Sequence, residues 1–385
     1  SSLASGRRSS RPACAAGREP CMIWKPVYQL NSSIARALMS IEAAKAVVEK
    51  TPLSPAIQAE LRHKARVRST HYSTRIEGNR LTLKEAEKVI EQKKANFHGR
   101  ERDVNEVRNY WEALLKVEDW AAKKVDISEE LICRLHALVE KGRRAKPTPY
   151  RDGQNVIRDA ASGAIVYLPP EAKDVASLMA AMVRWVKHAQ KEGIPPPVIS
   201  ALLHYQFVTI HPYYDGNGRT ARLLATFILQ RDGYGLNGFF SLEEHHARDL
   251  EGYYQALSVH KKHNYYQGRD QADLTAWVEY FIKLLAKVFQ QARDEAVRMG
   301  GEKGVVEPQE LRLLDHRART VLALFVKKDK IIVKDIAESL GLSDRMARIL
   351  VSGWVKDGWL EVLNESNRAR AYGLAKRYAK FVGLK

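Results

Sequence analysis

The chain has 385 residues and a mass of 43.7 kDa, enough for two or three domains at roughly 100–200 residues each. Hydrophobic residues make up 45% and charged residues 28%, which excludes general disorder. No apolar run approaches the ~20 residues of a membrane span. Lys and Arg number 63 against 45 Asp and Glu, a net charge of +18. That balance favours polyanion partners such as nucleotides or nucleic acid, and the solvated lysines of a basic enzyme account for it equally well.

Residues 1–21 differ from the rest. They are rich in Ser, Arg, Ala and Gly, hold Cys14 and Cys21, and lack an apolar h-region. They read as a leader outside the fold, better as a cloning scar or an unused upstream start than as a transit peptide. Cys133 is then the remaining cysteine and is expected in the core. Three cysteines build no disulfide framework, so a reducing cytoplasm is the expected compartment.

After Met22 the pattern is helical. Helices are predicted over 31–50, from Pro55 past Arg66, over 83–94 with a Thr82/Glu85 capping box, over 105–120, and over 129–141 after Ser128. Strongly apolar helices follow over 174–190, 196–209 and 219–230, then 250–259 and 272–298. The stretch from Tyr150 to Pro170 departs from this pattern. Val156-Ile157 and Ile165-Val166-Tyr167 flank a Ser-Gly turn and predict a β-hairpin. A lone hairpin on a helical body suggests a flap. Met299 to Pro308 is Gly-rich and reads as a linker. Beyond it, the order helix, short extended run, helix, three-residue turn, helix, hairpin is that of a winged helix-turn-helix.

His211 to Arg222, HPYYDGNGRTAR, carries the chemistry. An apolar helix ends at His211-Pro212. Gly216-Asn217-Gly218 can adopt positive φ and opens the next helix, so several N–H groups converge as an anion nest strengthened by the helix dipole. Arg219 and Arg222 share a face and add bidentate phosphate contacts. Asp215 beside a polyphosphate suits Mg²⁺. His211 suits a general base. The set calls for a nucleotide and Mg²⁺, without a Walker A loop.

This segment resembles the motif HxFx(D/E)GNGRxxR of the Fic (filamentation induced by cAMP) family, with Tyr213 in place of Phe. An anchored loop then requires a partner for the Tyr213 hydroxyl. The resemblance extends over about residues 70–300. It implies a mainly α fold, a Fic-type helical core with a β-hairpin flap, joined to a small winged helix-turn-helix domain. It also implies a protein adenylyltransferase that moves AMP from ATP to a Ser, Thr or Tyr hydroxyl of a target protein, or of itself. In that family scheme His211 deprotonates the hydroxyl and Asp215 holds Mg²⁺. Gly216, Asn217 and Gly218 bind phosphates, Arg219 the β-phosphate and Arg222 the γ-phosphate. The flap residues Val156, Ile157, Ile165, Val166 and Tyr167 register an extended target segment. Tyr253 and Tyr254 either approach the adenosine or are core aromatics.

Upstream, STRIEGNR from Ser73 to Arg80 resembles the Fic inhibitory motif (S/T)xxxE(G/N), matched by Ser73, Glu77 and Gly78. The resemblance implies that Glu77 pairs with Arg222 and blocks the γ-phosphate position. In some family members this glutamate assists removal of AMP, so de-AMPylation at the same site is the alternative. His245-His246 and His260/His263 fit no zinc pattern. Residues 315–385 hold 15 basic and 8 acidic residues, a net of +7. Arg345 and Arg348 on the second helix and Arg368 and Arg370 on the wing suit DNA. A protein-binding or dimer module suits the same fold, and a DNA-binding regulator with a nucleotide-sensing Fic domain is a further alternative. The expected division is a leader (1–21), an N-terminal helical region with the inhibitory motif (22–100), a catalytic domain (101–300), a linker (301–314) and a winged helix (315–385). A homodimer is compatible, and no membrane partner is expected.

Overall fold

The computed structural model describes residues 23–92, 97–143, 145–158, 163–301, 314–326, 328–364, 370–379 and 382. The expected leader (1–21), the expected linker (301–314) except its two end residues, and Arg368 lie outside these residues. Helices dominate. α1 spans Ser32–Lys50, α2 Pro55–Ile76, α3 Leu83–Glu91, α4 Glu101–Ala122 and α5 Glu129–Lys141. Asn31, Ser54, Thr82 and Ser128 cap the first three and the fifth through their side chains. Thr82 and Glu85 form the reciprocal capping box that their spacing predicts.

α7 (Pro196–Ile210) and α8 (Asn217–Arg231) form the centre and pack against each other. α7 is apolar on every side and buried on every side, as expected of a helix with no solvent face. α8 also touches α2, α4 and α5. Its first turn therefore lies where three other helices can deliver side chains. α6 (Ala172–Lys191) covers α7, and α11 (Thr275–Gly301) packs on α1 and α7. α9 (Leu242–Arg248) and α10 (Leu250–Leu257) complete this body. One continuous hydrophobic cluster runs from Ile34 through Leu202, Phe227 and Trp277 to Ala296.

The hairpin is present but short. β1 (Ile157–Arg158) pairs antiparallel with β2 (Ile165–Tyr167). Val156 precedes the strand instead of belonging to it. The stem continues at Leu168, whose N–H donates to the His263 carbonyl (2.7 Å) while its own carbonyl accepts from Tyr265 N (3.1 Å).

Several boundaries differ from expectation. α8 starts two residues early, which brings Asn217 and Gly218 into its first turn. The helix expected over 250–259 ends at Leu257, and a separate α9 precedes it. Met299, Gly300 and Gly301 stay helical at the end of α11, so the glycines there do not break the helix before position 301. Cys133 is half-buried.

A second hydrophobic cluster lies at the C-terminal end and centres on Phe325, Ile336, Val351, Trp354 and Trp359. Around it are α12 (His316–Leu322), α13 (Val333–Leu340), α14 (Asp344–Lys356) and a three-stranded antiparallel sheet. That sheet orders β3 (Ile331–Ile332), β5 (Ala371–Leu374) and β4 (Leu360–Asn364), with β5 in the middle. Gly341, at φ 65°, ends α13 in the left-handed region that glycine tolerates.

Candidate active site

The site forms where α7 ends and α8 begins. His211 terminates α7 with φ 52° and ψ 59°. The proline that follows disfavours a helical conformation here, and the left-handed one costs a non-glycine residue about 1–2 kcal/mol. Neighbours hold it in place. Its N–H still donates to Phe207 O (3.0 Å), and its carbonyl accepts from Arg151 Nε (3.0 Å). Nδ1 lies 3.2 Å from Val208 O. A carbonyl can only accept, so Nδ1 carries the proton and Nε2 keeps its lone pair. Burial pulls the imidazole pKa down to about 4, the Val208 bond and Glu77 opposing this and Arg151 adding to it.

Tyr213 plugs the loop into the core. Its ring stacks on His136 with centroids 3.6 Å apart. Asn217 locks the backbone here by accepting from Tyr213 N (3.0 Å) and donating to Tyr213 O (2.8 Å). The Tyr213 hydroxyl is buried without a conventional partner and faces the Cys133 thiol. Packing and the two Asn217 bonds anchor the loop, and the thiol of Cys133 is the polar group that the hydroxyl meets. His136 Nε2 donates to the carbonyl of Asp215 (2.8 Å). Burial holds His136 neutral, with a pKa of about 4.

The first turn of α8 presents free N–H groups to the site. Gly216 sits at φ 76°. The Asp215 carboxylate is largely exposed, with one oxygen accepting from Gly216 N (2.6 Å). Arg219 and Arg222 are both buried. A buried guanidinium requires partners, and here each receives carboxylates from a different helix. Arg222 donates from Nε to Ser73 Oγ (2.9 Å), and from Nη2 to Ser73 O (2.9 Å) and Glu77 Oε1 (2.8 Å). Burial is the largest single influence and disfavours its charge, but Glu77, Tyr253 and Tyr110 together outweigh it, so its pKa rises. Arg219 Nη2 lies 2.9 Å from Glu140 Oε1, close enough for charge pairing though not aligned for a hydrogen bond. Asp215 and Glu106 approach it at 3.3 and 3.9 Å. Burial raises the Glu140 pKa, and Arg219 opposes that shift.

Two glycines explain how the carboxylates come so close. A Cβ on Gly218 would collide with Glu77 and lie 3.2 Å from Arg222 Nη1. A Cβ on Gly216 would collide with Glu140. Glu77 therefore lies over the helix N-terminus that an anion would take. Its own position is fixed by the end of α2, where Gly78 turns the chain at φ 90°.

Residues 126–229 match the Fic/DOC family. This chain carries a Fic/DOC domain. Relatives named "Protein adenylyltransferase Fic" from Drosophila yakuba and Drosophila melanogaster are each 30% identical over 200 residues. Each alignment covers 52% of this chain and 39% of the relative, so the chain spans about two fifths of the length of the curated relatives it matches. Among solved structures, a Fic family protein from Desulfovibrio desulfuricans G20 aligns with TM-score 0.58 at 26% identity over 92% of this chain and 99% of that one. Fic-1 from C. elegans shares the fold, with TM-score 0.55 at 23% identity over 70% and 73% of the two chains.

Within the Fic domain, His211, Asp215, Gly216, Asn217, Gly218, Arg219 and Arg222 come together, and α2 brings Ser73 and Glu77 to them. Tyr253 is buried, and its hydroxyl meets His204 Nε2 at 2.8 Å in a cluster with Trp277. Tyr254 is half-exposed beside it. On the flap, Ile165 and Val166 are exposed, but Tyr167 turns inward and donates to Thr209 O (2.8 Å). Its side chain is a foot of the flap and not a docking surface. His245 and His246 bond to Gln291 and Tyr280. Among the described residues, the cluster of three potential metal ligands is His63, Glu87 and Glu91.

Glu140, Glu106, His136 and Arg151 were not legible in the sequence, nor was Arg102, whose Nη2 lies 3.7 Å from Asp215 Oδ2 and which pairs with Glu106. They come from α4, α5 and the segment before the flap, and carry no local motif.

Proposed function

We propose that this protein is a protein adenylyltransferase that moves AMP from ATP to a hydroxyl side chain of a target protein and is restrained by its own Glu77. The observation that carries this reading is the Glu77 carboxylate seated on Arg222 and over Gly218. A carboxylate there occupies the place of a phosphate. The buried guanidiniums of Arg219 and Arg222 and the α8 N-terminus would bind the triphosphate once Glu77 and Glu140 give way.

In this reading the target hydroxyl oxygen attacks the α-phosphorus, and its proton passes to His211 Nε2. The bond to the bridging oxygen breaks and pyrophosphate leaves. Rate comes from positioning and from fixed positive charge. A base with a pKa near 4 is fully neutral at pH 7 and therefore always able to accept. Negative phosphates beside it raise its basicity when ATP binds. Asp215 fits a magnesium site. Its carboxylate is exposed at the rim of the nest, with one oxygen tied to Gly216 N. Magnesium there would neutralise phosphate charge. The exposed Ile165 and Val166 would pair with an extended target segment along the flap.

One observation favours a second reading, de-AMPylation. Glu77 is 28% exposed and uses one oxygen for Arg222, which leaves the other able to orient a water. The test uses ATP labelled on the α-phosphate with Mg²⁺, and compares wild type, Glu77→Gly, and Glu77→Gly with His211→Ala. Label on Glu77→Gly, weaker in wild type and absent from the double variant, supports transfer. Release of label from pre-labelled protein by wild type, lost in Glu77→Gly, supports removal.

The C-terminal region adds a DNA contact to the proposal. On α14, at 100° per residue, Arg345, Arg348, Ser352 and Lys356 fall on one face, and all are exposed. The opposite face, with Ala347, Val351 and Trp354, is buried. Arg370, at the end of the hairpin turn, is exposed as well. A basic helix face after a three-residue turn is the geometry of winged-helix major-groove contact. Binding of the full chain to duplex DNA that weakens steeply with salt supports it. Binding insensitive to salt, or none, favours a protein-interaction module.

A further inference from the structure

We propose that Arg151 is a positioning residue that joins the flap and His211 into one rigid unit, so that a target seated on the flap meets Nε2 at a fixed register. This inference rests on the transferase reading for its kinetic consequence and on geometry for its structural one.

Arg151 is 4% exposed, and its guanidinium bonds to no carboxylate among the described residues. Instead it donates to three carbonyls. Nε reaches His211 O (3.0 Å), Nη1 reaches Gly153 O (2.8 Å), and Nη2 reaches Pro170 O. Gly153 lies before β1 and Pro170 after β2, so the fork gathers both stems of the flap. Its backbone N–H donates to Pro212 O (2.9 Å). One residue therefore holds the carbonyls on both sides of the bond that follows His211.

The arrangement answers a physical need. A helix leaves its last carbonyls without internal partners, and Pro212 prevents the usual continuation. His211 is further strained in the left-handed region. Strain of this kind persists only where surroundings over-determine it. A planar fork with fixed donors suits three converging carbonyls, which a lysine cannot span. Two further contacts reinforce the seam. Asn155 Nδ2 donates to Tyr213 O (3.2 Å), and the Tyr214 hydroxyl donates to Asp152 (2.7 Å). Both cross from the flap stem to the catalytic loop, but both are lone bonds at its edge.

The experiment uses the full chain with Glu77→Gly, alone and combined with Arg151→Lys or Arg151→Ala. Self-labelling from ATP is followed at varied ATP, and His211 is observed by nitrogen-15 imidazole NMR in the same proteins. The expected result is a fall of about 100-fold in the maximal labelling rate for Arg151→Ala, since misplacement near 1 Å costs that much. Arg151→Lys is expected to be intermediate, and the KM for ATP to change less than threefold in both. In the NMR arm, Arg151→Ala is expected to lose the single Nδ1–H tautomer for a mixture. An unchanged rate with an unchanged tautomer overturns the proposal, as does a rise in KM with the maximal rate preserved. If Glu77→Gly itself takes no label, the transferase reading fails, and the tautomer alone decides the role of Arg151. Arg151→Lys keeps the test decisive if Arg151→Ala does not fold.

Discussion

The first turn of α8 and the exposed face of α14 both present arginines three residues apart, yet they are opposite in character. Arg219 and Arg222 are buried and surrounded by Glu77, Glu140, Asp215 and Glu106. Arg345 and Arg348 stand in solvent on a helix whose other face is core. Burial is what separates them. A desolvated guanidinium demands a partner and binds an anion at a fixed place. A solvated one contributes long-range field and tolerates exchange of partners. The first arrangement suits a site where one carboxylate acts as a brake. The second suits a surface that reads a charged polymer.

The comparison breaks most sharply at His211. In the Glu77→Gly protein, His211→Ala is expected to reduce AMP transfer by about 10²–10⁴-fold, the range for loss of a general base, while ATP affinity by calorimetry stays within a few fold. Retained transfer would remove the base assignment and leave the cradle as a binding site.

Glu77→Gly tests the buried side directly. It removes the carboxylate from buried Arg222 and leaves it the neutral partners Ser73 and Tyr253, and stability is expected to fall by about 2–3 kcal/mol. Mg²⁺–ATP at a hundred times its Kd returns about 2.7 kcal/mol, so the ATP-induced rise in Tm is expected to exceed that of wild type. An equal rise in both proteins would mean that Glu77 does not compete with phosphate.

Buried imidazoles give a third effect. Burial depresses the pKa of His204 to about 3 and pushes His246 well below its usual value. A folded pKa below the unfolded value of about 6.5 means the unfolded chain binds more protons. The stability tied to these groups is complete above about pH 6.5 and is lost as pH falls towards the folded values. At pH 5 the His204 contribution lost is about 2 kcal/mol, and His246 adds in the same direction. Melting curves from pH 7 to pH 5 read this loss, and His204→Gln is expected to flatten it.

The smallest effect belongs to the exposed face. Arg345→Ala and Arg348→Ala are each expected to change stability by no more than about 0.5 kcal/mol. Each is expected to reduce the slope of log affinity for duplex DNA against log salt by about 1. A Tm loss like that of Glu77→Gly would mean these side chains hold the fold, and the contrast between the two regions would collapse.

Much of this was legible beforehand for local reasons. Apolar periodicity marks α7 and α8, and Thr82 with Glu85 three residues on marks the start of α3. The Gly-Asn-Gly turn feeding two arginines marks an anion site. Glu77 is legible only through its family resemblance, because a glutamate before glycine at a helix end is common. The separate α9, the helical Met299 to Gly301 and the inward turn of Tyr167 were not legible. Each depends on what packs against it, and tertiary contacts override such short signals.

By itself the sequence determined the elements and the inventory of charged groups, since helix periodicity, caps and turns act over a few residues. Only the tertiary structure decided the partners. Ser73 lies 149 positions from Arg222, and Arg151 lies 60 from His211. No local propensity encodes such pairs. They exist because α8 is held among α2, α4, α5 and α7, and because charges buried there had to find partners on whichever neighbour was within reach.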